Sequence, residues 1–198
     1  IKGINHPEPP CDAVSQDEAL QRAAQIGYNS VRWWPNSWNY INSVDNYATI
    51  AAKHGINCAP VFGFTHVPTS ASDSTSMEKK VREIIRYFRG DERIIMWDIW
   101  NEPVMSGEDC RDQMKWIRII AQGCREEGCT QAITSSILWD PDISAAKENA
   151  YTSVRREAEK EMDLHNFHDY VMQESHSANI TYVMNRFKKI DNLPLVCT

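Results

Sequence analysis

The chain has 198 residues, of which 42% are hydrophobic and 24% are charged, a balance typical of a globular protein with a substantial core. Its net charge of -6 argues against a nucleic-acid partner, because phosphates call for a basic protein face. No apolar run approaches the roughly 20 residues that a membrane-spanning helix requires. We therefore expect residues 1–198 to form a single domain without a membrane span.

Strand and helix patterns alternate from the start of the sequence. Residues 1–5 predict a strand, and a helix follows with Ser15 as its N-cap and Glu18 completing a capping box. Gly27 ends this helix, and residues 28–34 predict the second strand. Because residues 1–5 already look like a strand, we expect no signal peptide in this sequence.

The same order of elements then repeats. Asp45 is the expected cap of a second helix, which Gly55 ends, and residues 56–62 predict the third strand. Gly27 and Gly55 lie 28 residues apart and each opens a Gly-x-Asn run that leads into a strand. This spacing indicates repeated βα modules, the arrangement that parallel α/β folds use.

Further alternation continues to the last residue. A polar loop is expected over residues 65–76, a third helix extends through Phe88 to Gly90, and the central strand follows. The remaining expected elements are a helix over roughly 107–122, a strand over 131–138, a charged helical face over 155–160, a strand over 162–167, a helix around Tyr182 and Phe187, and a strand over 193–198.

Seven strands that alternate with helices, without hairpin turns, predict a parallel sheet. A doubly wound open sheet and a (β/α)8 barrel both fit this pattern. No Gly-x-Gly-x-x-Gly follows the first strand, which removes the main support for a dinucleotide-binding sheet. We therefore predict an α/β fold, an incomplete (β/α)8 barrel with strands one to about seven, since a full barrel typically takes about 250 residues.

The central strand carries the most informative motif. Ile94 to Pro103 reads Ile-Ile-Met-Trp-Asp-Ile-Trp-Asn-Glu-Pro, an apolar run that ends in a polar pair and a proline. In isolation, Glu102 is equally an ordinary strand-to-loop residue. The whole run resembles the fourth-strand signature of retaining glycoside hydrolases of the (β/α)8 superclan, closest to the family-5 cellulase and mannanase group.

This resemblance implies a role for several residues. Glu102 would be the general acid/base, and Asn101 would contact the sugar hydroxyl beside the scissile bond. Arg32, at the end of the second strand, resembles the family's arginine that orients the catalytic carboxylates; its alternative is a rim salt bridge. His165 matches the histidine of the family's His-x-Tyr element, with Phe167 in the tyrosine position.

Other residues at predicted strand ends are assigned to substrate binding. They are His6, Trp34 and Trp139, together with the residues named above. Indole rings can stack on sugar faces, although core packing is an equal alternative for Trp33, Trp34 and Trp139. Trp38 and Trp116 have no such placement and are expected to pack.

Strand alternation raises a conflict within the motif. It places Asp98, Trp100 and Glu102 on one face of the strand and turns Asn101 away. Asn101 and Glu102 can both serve the site only if the strand bulges or ends at Asn101. A buried Asp98 also needs a partner, and Arg32 is the first candidate.

Retaining hydrolysis needs a second carboxylate about 5–5.5 Å from the first. The resemblance puts that nucleophile directly after a run like Pro194–Thr198, and no Asp or Glu follows Asp191. We therefore expect a C-terminally incomplete barrel that has no glycosidase activity on its own. The resemblance further implies no cofactor, a β-linked carbohydrate substrate and a secreted or periplasmic location.

Two alternatives remain open at this stage. One is a non-catalytic carbohydrate-binding protein on the same scaffold. The other is a metal-dependent hydrolase using four histidines, His6, His66, His165 and His168, although no H-x-H or H-E-x-x-H spacing supports it.

The six cysteines show no C-x2-C pair, so we expect no zinc cluster. Cys58 and Cys197 fall in apolar runs, where buried inert thiols are expected. Cys124 and Cys129 are close enough in sequence to form a disulfide in an oxidising compartment.

Overall fold

The structure is a computed structural model in which helices and parallel strands alternate along the chain. The residues it describes are 2–6, 12–36, 39–64, 67–103, 108–138, 157–158, 160–168 and 194–197. The elements are β1 (Gly3–His6), α1 (Ala13–Gln25), β2 (Ser30–Trp33), α2 (Tyr40–Lys53), β3 (Asn57–Pro60), α3 (Ala71–Phe88), β4 (Met96–Asn101), α4 (Glu108–Glu126), β5 (Ala132–Leu138), β6 (His165–His168) and β7 (Leu195–Cys197).

All strands pair in parallel, and each one lies next to its neighbour in sequence. Pairing runs β1-β2-β3 in one sheet and β4-β5-β6-β7 in the other. Isolated parallel bridges from Cys58 to Ile94 and from Val61 to Asp98 join β3 to β4, so the order is sequential throughout. A doubly wound sheet reverses its strand order at a switch point. The sequential order therefore confirms the predicted barrel type of α/β fold.

The hydrophobic core lies between the strands and the helices. Trp97 on β4 is fully buried and stacks on Phe62, with ring centroids 5.3 Å apart and planes 6° apart. Phe88 of α3 contacts Trp97 from the helix side at 5.9 Å.

Trp33 stacks on Tyr47 of α2 at 4.5 Å, so this tryptophan belongs to the core and not to a sugar-binding surface. Trp116 is buried, as expected for a packing residue.

Glycine ends two of the helices in the way the repeat predicts. Gly27 and Gly55 adopt φ values of 90° and 69°, a left-handed conformation that costs glycine little. Each is followed by a strand of the parallel sheet, β2 or β3. The predicted repeat of βα modules is confirmed.

The predicted starts of three helices are wrong. The N-cap of α1 is Asp12, whose carboxylate accepts a hydrogen bond from the Ser15 N–H at 2.8 Å. The second helix begins at Tyr40, well before Asp45, because Tyr40 and Val44 bury against the core and extend it upstream. The third begins at Ala71 inside the predicted polar loop, because Ser70 caps it through the Asp73 N–H.

Several expected features fall outside the described residues. They are Cys11, Trp38, Thr65, His66, residues 139–156, residues 169–193 with the expected last helix, and the side chain of Cys197. Cys58 is buried, as expected, and burial raises the pKa of its thiol. Cys124 and Cys129 are free thiols in this structure. None of the described helices is long and apolar enough to cross a membrane.

The cap of α1 gives the first prediction. Asp12→Ala should lower the thermal midpoint at neutral pH, because the Ser15 N–H loses its acceptor. The Ser15 backbone hydrogen bond holds the pKa of Asp12 below its ordinary value. This stabilisation is therefore complete above pH of about 4 and is lost as the pH falls through the lower folded-state pKa.

Thermal unfolding across that pH range, followed by circular dichroism, measures the effect. Asp12→Asn is the matched control, because its amide oxygen still accepts the hydrogen bond but does not titrate. A larger decrease in the thermal midpoint for Ser15→Ala than for Asp12→Ala would show that Ser15 is the N-cap.

Candidate active site

A buried ion pair lies at the C-terminal ends of the strands. Arg32 on β2 donates from Nε and Nη2 to Oδ2 of Asp98 on β4, at 2.8 and 2.6 Å. The two side chains are 2% and 0% exposed. A buried charge is costly unless it is paired and hydrogen-bonded. The predicted partnership of Arg32 and Asp98 is confirmed, and the role of Arg32 in orienting the catalytic carboxylates stays a prediction.

Three further polar groups complete the surroundings of Arg32. Its Nη2 donates to Asn101 Oδ1 at 2.7 Å and to Ser136 Oγ at 2.9 Å. Its Nη1 reaches Asn5 Oδ1 at 3.4 Å. We call Asn5, Arg32, Asp98, Asn101, Ser136 and Asn166 the strand-end network.

Ser136 and Asn166 bring β5 and β6 into the strand-end network. The Ser136 hydroxyl hydrogen-bonds to Asp98 Oδ2, and Asn166 Nδ2 donates to Ser136 Oγ at 2.9 Å. Both residues are almost fully buried. Neither residue was predicted from the sequence. The signal available for Ser136 was the polar run Thr134-Ser135-Ser136 in a strand that the fold buries.

The strand of the motif bulges between Asp98 and Asn101. Asp98 pairs with Thr134 and Asn101 with Ser136, so three steps along β4 match two along β5. The extra residue returns Asn101 to the face of Asp98, where it accepts from Arg32. Simple alternation, which turned Asn101 away, is therefore wrong at this point, and the bulged form of the strand is the one observed.

Glu102 follows the bulge in an uncommon backbone conformation. Its φ is 47°, and it is the one non-glycine residue with positive φ among the described parts of the chain. Its N–H donates to the Ser136 carbonyl at 2.8 Å, and the residue is half-buried. Non-glycine residues rarely adopt this conformation unless surrounding contacts enforce it. The bulge and this hydrogen bond therefore fix the backbone position from which the Glu102 side chain extends.

Trp34 lies beside the strand-end network. The Arg32 guanidinium sits over the Trp34 ring, with Cζ 4.4 Å from the ring centroid. Trp34 is half-buried, so part of its indole surface remains accessible. A cation over one face of the ring holds the indole in a fixed position.

On the sixth strand, Asn166 contacts the strand-end network. Asn166 Nδ2 donates to Ser136 Oγ, and His165, the preceding residue of β6, pairs with Leu195 of β7. His165 is 2% exposed. The placement of His165 in the site stays a prediction.

The remaining predicted positions lie beyond the described side chains. Trp139 is not described, and the side chains of His6, Phe167 and His168 are not either. The backbone of His6 pairs with Trp33 at the end of β1. Within the described ranges, no three His, Cys, Asp or Glu side chains form a group that could hold a metal ion.

Comparison with solved structures identifies the fold. No family model and no curated protein matches this sequence. The β-mannanase of Thermomonospora fusca, solved with mannotriose, superposes with a TM-score of 0.67 at 18% identity, over 100% of this chain and 68% of that one. The β-mannanase of the blue mussel Mytilus edulis gives 0.61 at 16% identity, over 81% of this chain and 64% of that one.

A third structure extends the same relationship. The GH5_18 protein of Streptomyces cattleya, solved with GlcNAc, gives a TM-score of 0.61 at 12% identity, over 81% of this chain and 47% of that one. The chain thus spans between about half and two-thirds of the length of these three structures. At these identities the likeness concerns the fold. The chain has the α/β fold of the (β/α)8-barrel glycoside hydrolases, including those of family 5.

Proposed function

We propose that this chain provides the acid/base half of a retaining glycosidase acting on β-linked oligo- or polysaccharides. The observation that carries the proposal is the left-handed backbone of Glu102 at the bulged end of β4. Strained residues of this kind cluster at functional sites, where the surrounding contacts hold them. Active sites of (β/α)8 barrels lie at this same end of the strands.

Each neighbour has a part in the proposed reaction. In the first step Glu102 protonates the glycosidic oxygen as the bond to the anomeric carbon breaks, and a second carboxylate attacks that carbon. In the second step Glu102 takes a proton from the water that displaces the enzyme carboxylate. Asn101, held by Arg32 at 2.7 Å, offers its amide N–H2 to a sugar hydroxyl.

The second carboxylate is expected at the C-terminal end of β7, about 5–5.5 Å from Glu102. Trp34 supplies an aromatic face, supported by Arg32 from one side, on which a sugar ring can stack. Two of the structural neighbours are β-mannanases, so β-mannan oligosaccharides are the first substrates to test.

Replacing the proposed acid/base tests its role in the complete product of the gene. Glu102→Gln should slow the hydrolysis of unactivated β-glycosides by about 10²–10⁴-fold, since the amide cannot protonate the leaving oxygen. Activated aryl glycosides need little protonation, so their first step should lose much less. Steady-state kinetics on both kinds of substrate measures the ratio of the two rate losses.

Glu92→Gln makes the same chemical change in the exposed turn before β4 and is the matched control. Small, equal losses on both substrates for Glu102→Gln would remove Glu102 from the acid/base role. Sugar binding by a wild-type protein that cleaves neither substrate would instead indicate a carbohydrate-binding protein on this scaffold.

The stereochemistry of the product tests the double displacement independently. A retaining enzyme releases the β anomer first from a β-glycoside, because two inversions at the anomeric carbon restore its configuration. Proton NMR of the anomeric signals during the first minutes of hydrolysis distinguishes the two anomers. Release of the α anomer first would indicate single displacement by water, with carboxyl groups about 6.5–9.5 Å apart.

A further inference from the structure

The hydroxyl of Ser136 uses its full hydrogen-bonding capacity within the strand-end network. Ser136 Oγ accepts from Arg32 Nη2 and from Asn166 Nδ2, both at 2.9 Å, and it donates to Asp98 Oδ2. A serine hydroxyl offers one hydrogen and two lone pairs. These three contacts use the hydrogen and both lone pairs of the hydroxyl. A ligand could therefore bind to this hydroxyl only by displacing one of them.

The main chain of Ser136 holds the same region from a second side. Its N–H donates to Asp98 Oδ1 at 3.1 Å, and its carbonyl accepts the Glu102 N–H at 2.8 Å. The latter bond sits directly after the register shift of β4. Ser136 thus contacts the ion pair through its side chain and the backbone of Glu102 through its carbonyl.

We propose that Ser136 is a positioning residue for Glu102. Its hydroxyl fixes Asp98 and Arg32, and Arg32 in turn fixes Asn101, the residue before Glu102. Its carbonyl fixes the backbone at Glu102 itself. This inference rests on the proposed acid/base function of Glu102. Ser136 acts by keeping that carboxylate at the place where the leaving oxygen must receive its proton.

Loss of the hydroxyl should displace the acid/base without abolishing the fold. In Ser136→Ala, the Arg32 and Asn166 donors lose an acceptor and the bulge loosens. Misplacement by about 1 Å can cost about 10²-fold in rate. We expect kcat on unactivated glycosides to fall by about 10- to 100-fold, with a much smaller change in KM and a smaller loss on activated aryl glycosides.

Ser135 provides a matched control on the adjacent residue of β5. It is also a buried serine, and its hydroxyl donates to the Trp100 carbonyl at 3.0 Å. Ser135→Ala therefore removes one buried hydroxyl and one contact with β4, as Ser136→Ala does, but leaves the strand-end network intact. It should show the same ratio of rates on the two substrate types as wild type. Ser136→Thr keeps a hydroxyl and should restore much of that ratio.

The outcome separates this inference from the proposed function. If Glu102→Gln discriminates between the two substrate types and Ser136→Ala does not, Ser136 has no positioning role. If Glu102→Gln does not discriminate either, both proposals fail. Should Ser136→Ala not fold, Asn166→Ala removes one donor to the same hydroxyl, and an unchanged substrate ratio in that variant overturns the inference.

Discussion

Arg32 and Asp98 form an ion pair from which water is almost wholly excluded, in a layer where a barrel usually holds branched apolar side chains. Removing one partner of such a pair typically costs about 3–5 kcal/mol, because the other charge is left buried. The pair is tolerated here because all three guanidinium nitrogens have acceptors, and Asn5, Asn101 and Ser136 add to those of Asp98. The position of Asn101, and through it that of Glu102, depends on these contacts.

Strand β4 presents one face to the hydrophobic core and the other to the strand-end network. On β4, Trp97 and Ile99 face the helices and are fully buried in the core, while Asp98 faces the polar network. The apolar face holds the strand rigidly, since Trp97 stacks on Phe62 and also contacts Phe88 at a tilted angle. Because the strand is rigid, the backbone position from which the charged Asp98 side chain extends is fixed. The polar face can then support a precise geometry that a loop could not.

The architecture was largely predictable because alternating strand and helix signals are strong, local and repeated. Helix starts were less predictable, since several residues compete as caps. Asp12 and Ser15 both favour an N-cap, and the burial of Tyr40, a tertiary effect, decides where α2 begins. Pattern reading could pair Arg32 with Asp98 because a buried carboxylate needs a cation.

The rest of the site was not visible in the sequence for physical reasons. A bulge adds one residue to an apolar run without changing the kinds of residue in it. The residue types of Asp98–Asn101 therefore do not indicate the bulge. Serine and asparagine are common in strands and loops, and their importance here comes from neighbours on other strands. Asn166, for example, follows the histidine of the expected motif, and only its contact with Ser136 on β5 shows that it belongs to the network.

The bulge on β4 also bears on how this protein tolerates insertions and deletions. The chain after the bulge is offset by one residue from the ladder before it. Deleting a single residue between Asp98 and Asn101 would restore regular pairing and would keep Asn101 on the face of Asp98, because residues two apart on a strand share a face. Inserting one residue while the bulge is kept would instead pair Asn101 with the position after Ser136 and turn it, with every following side chain, to the opposite face. The register at Glu102 is therefore compatible with the loss of one residue from the stretch between Asp98 and Asn101, but not with the gain of one.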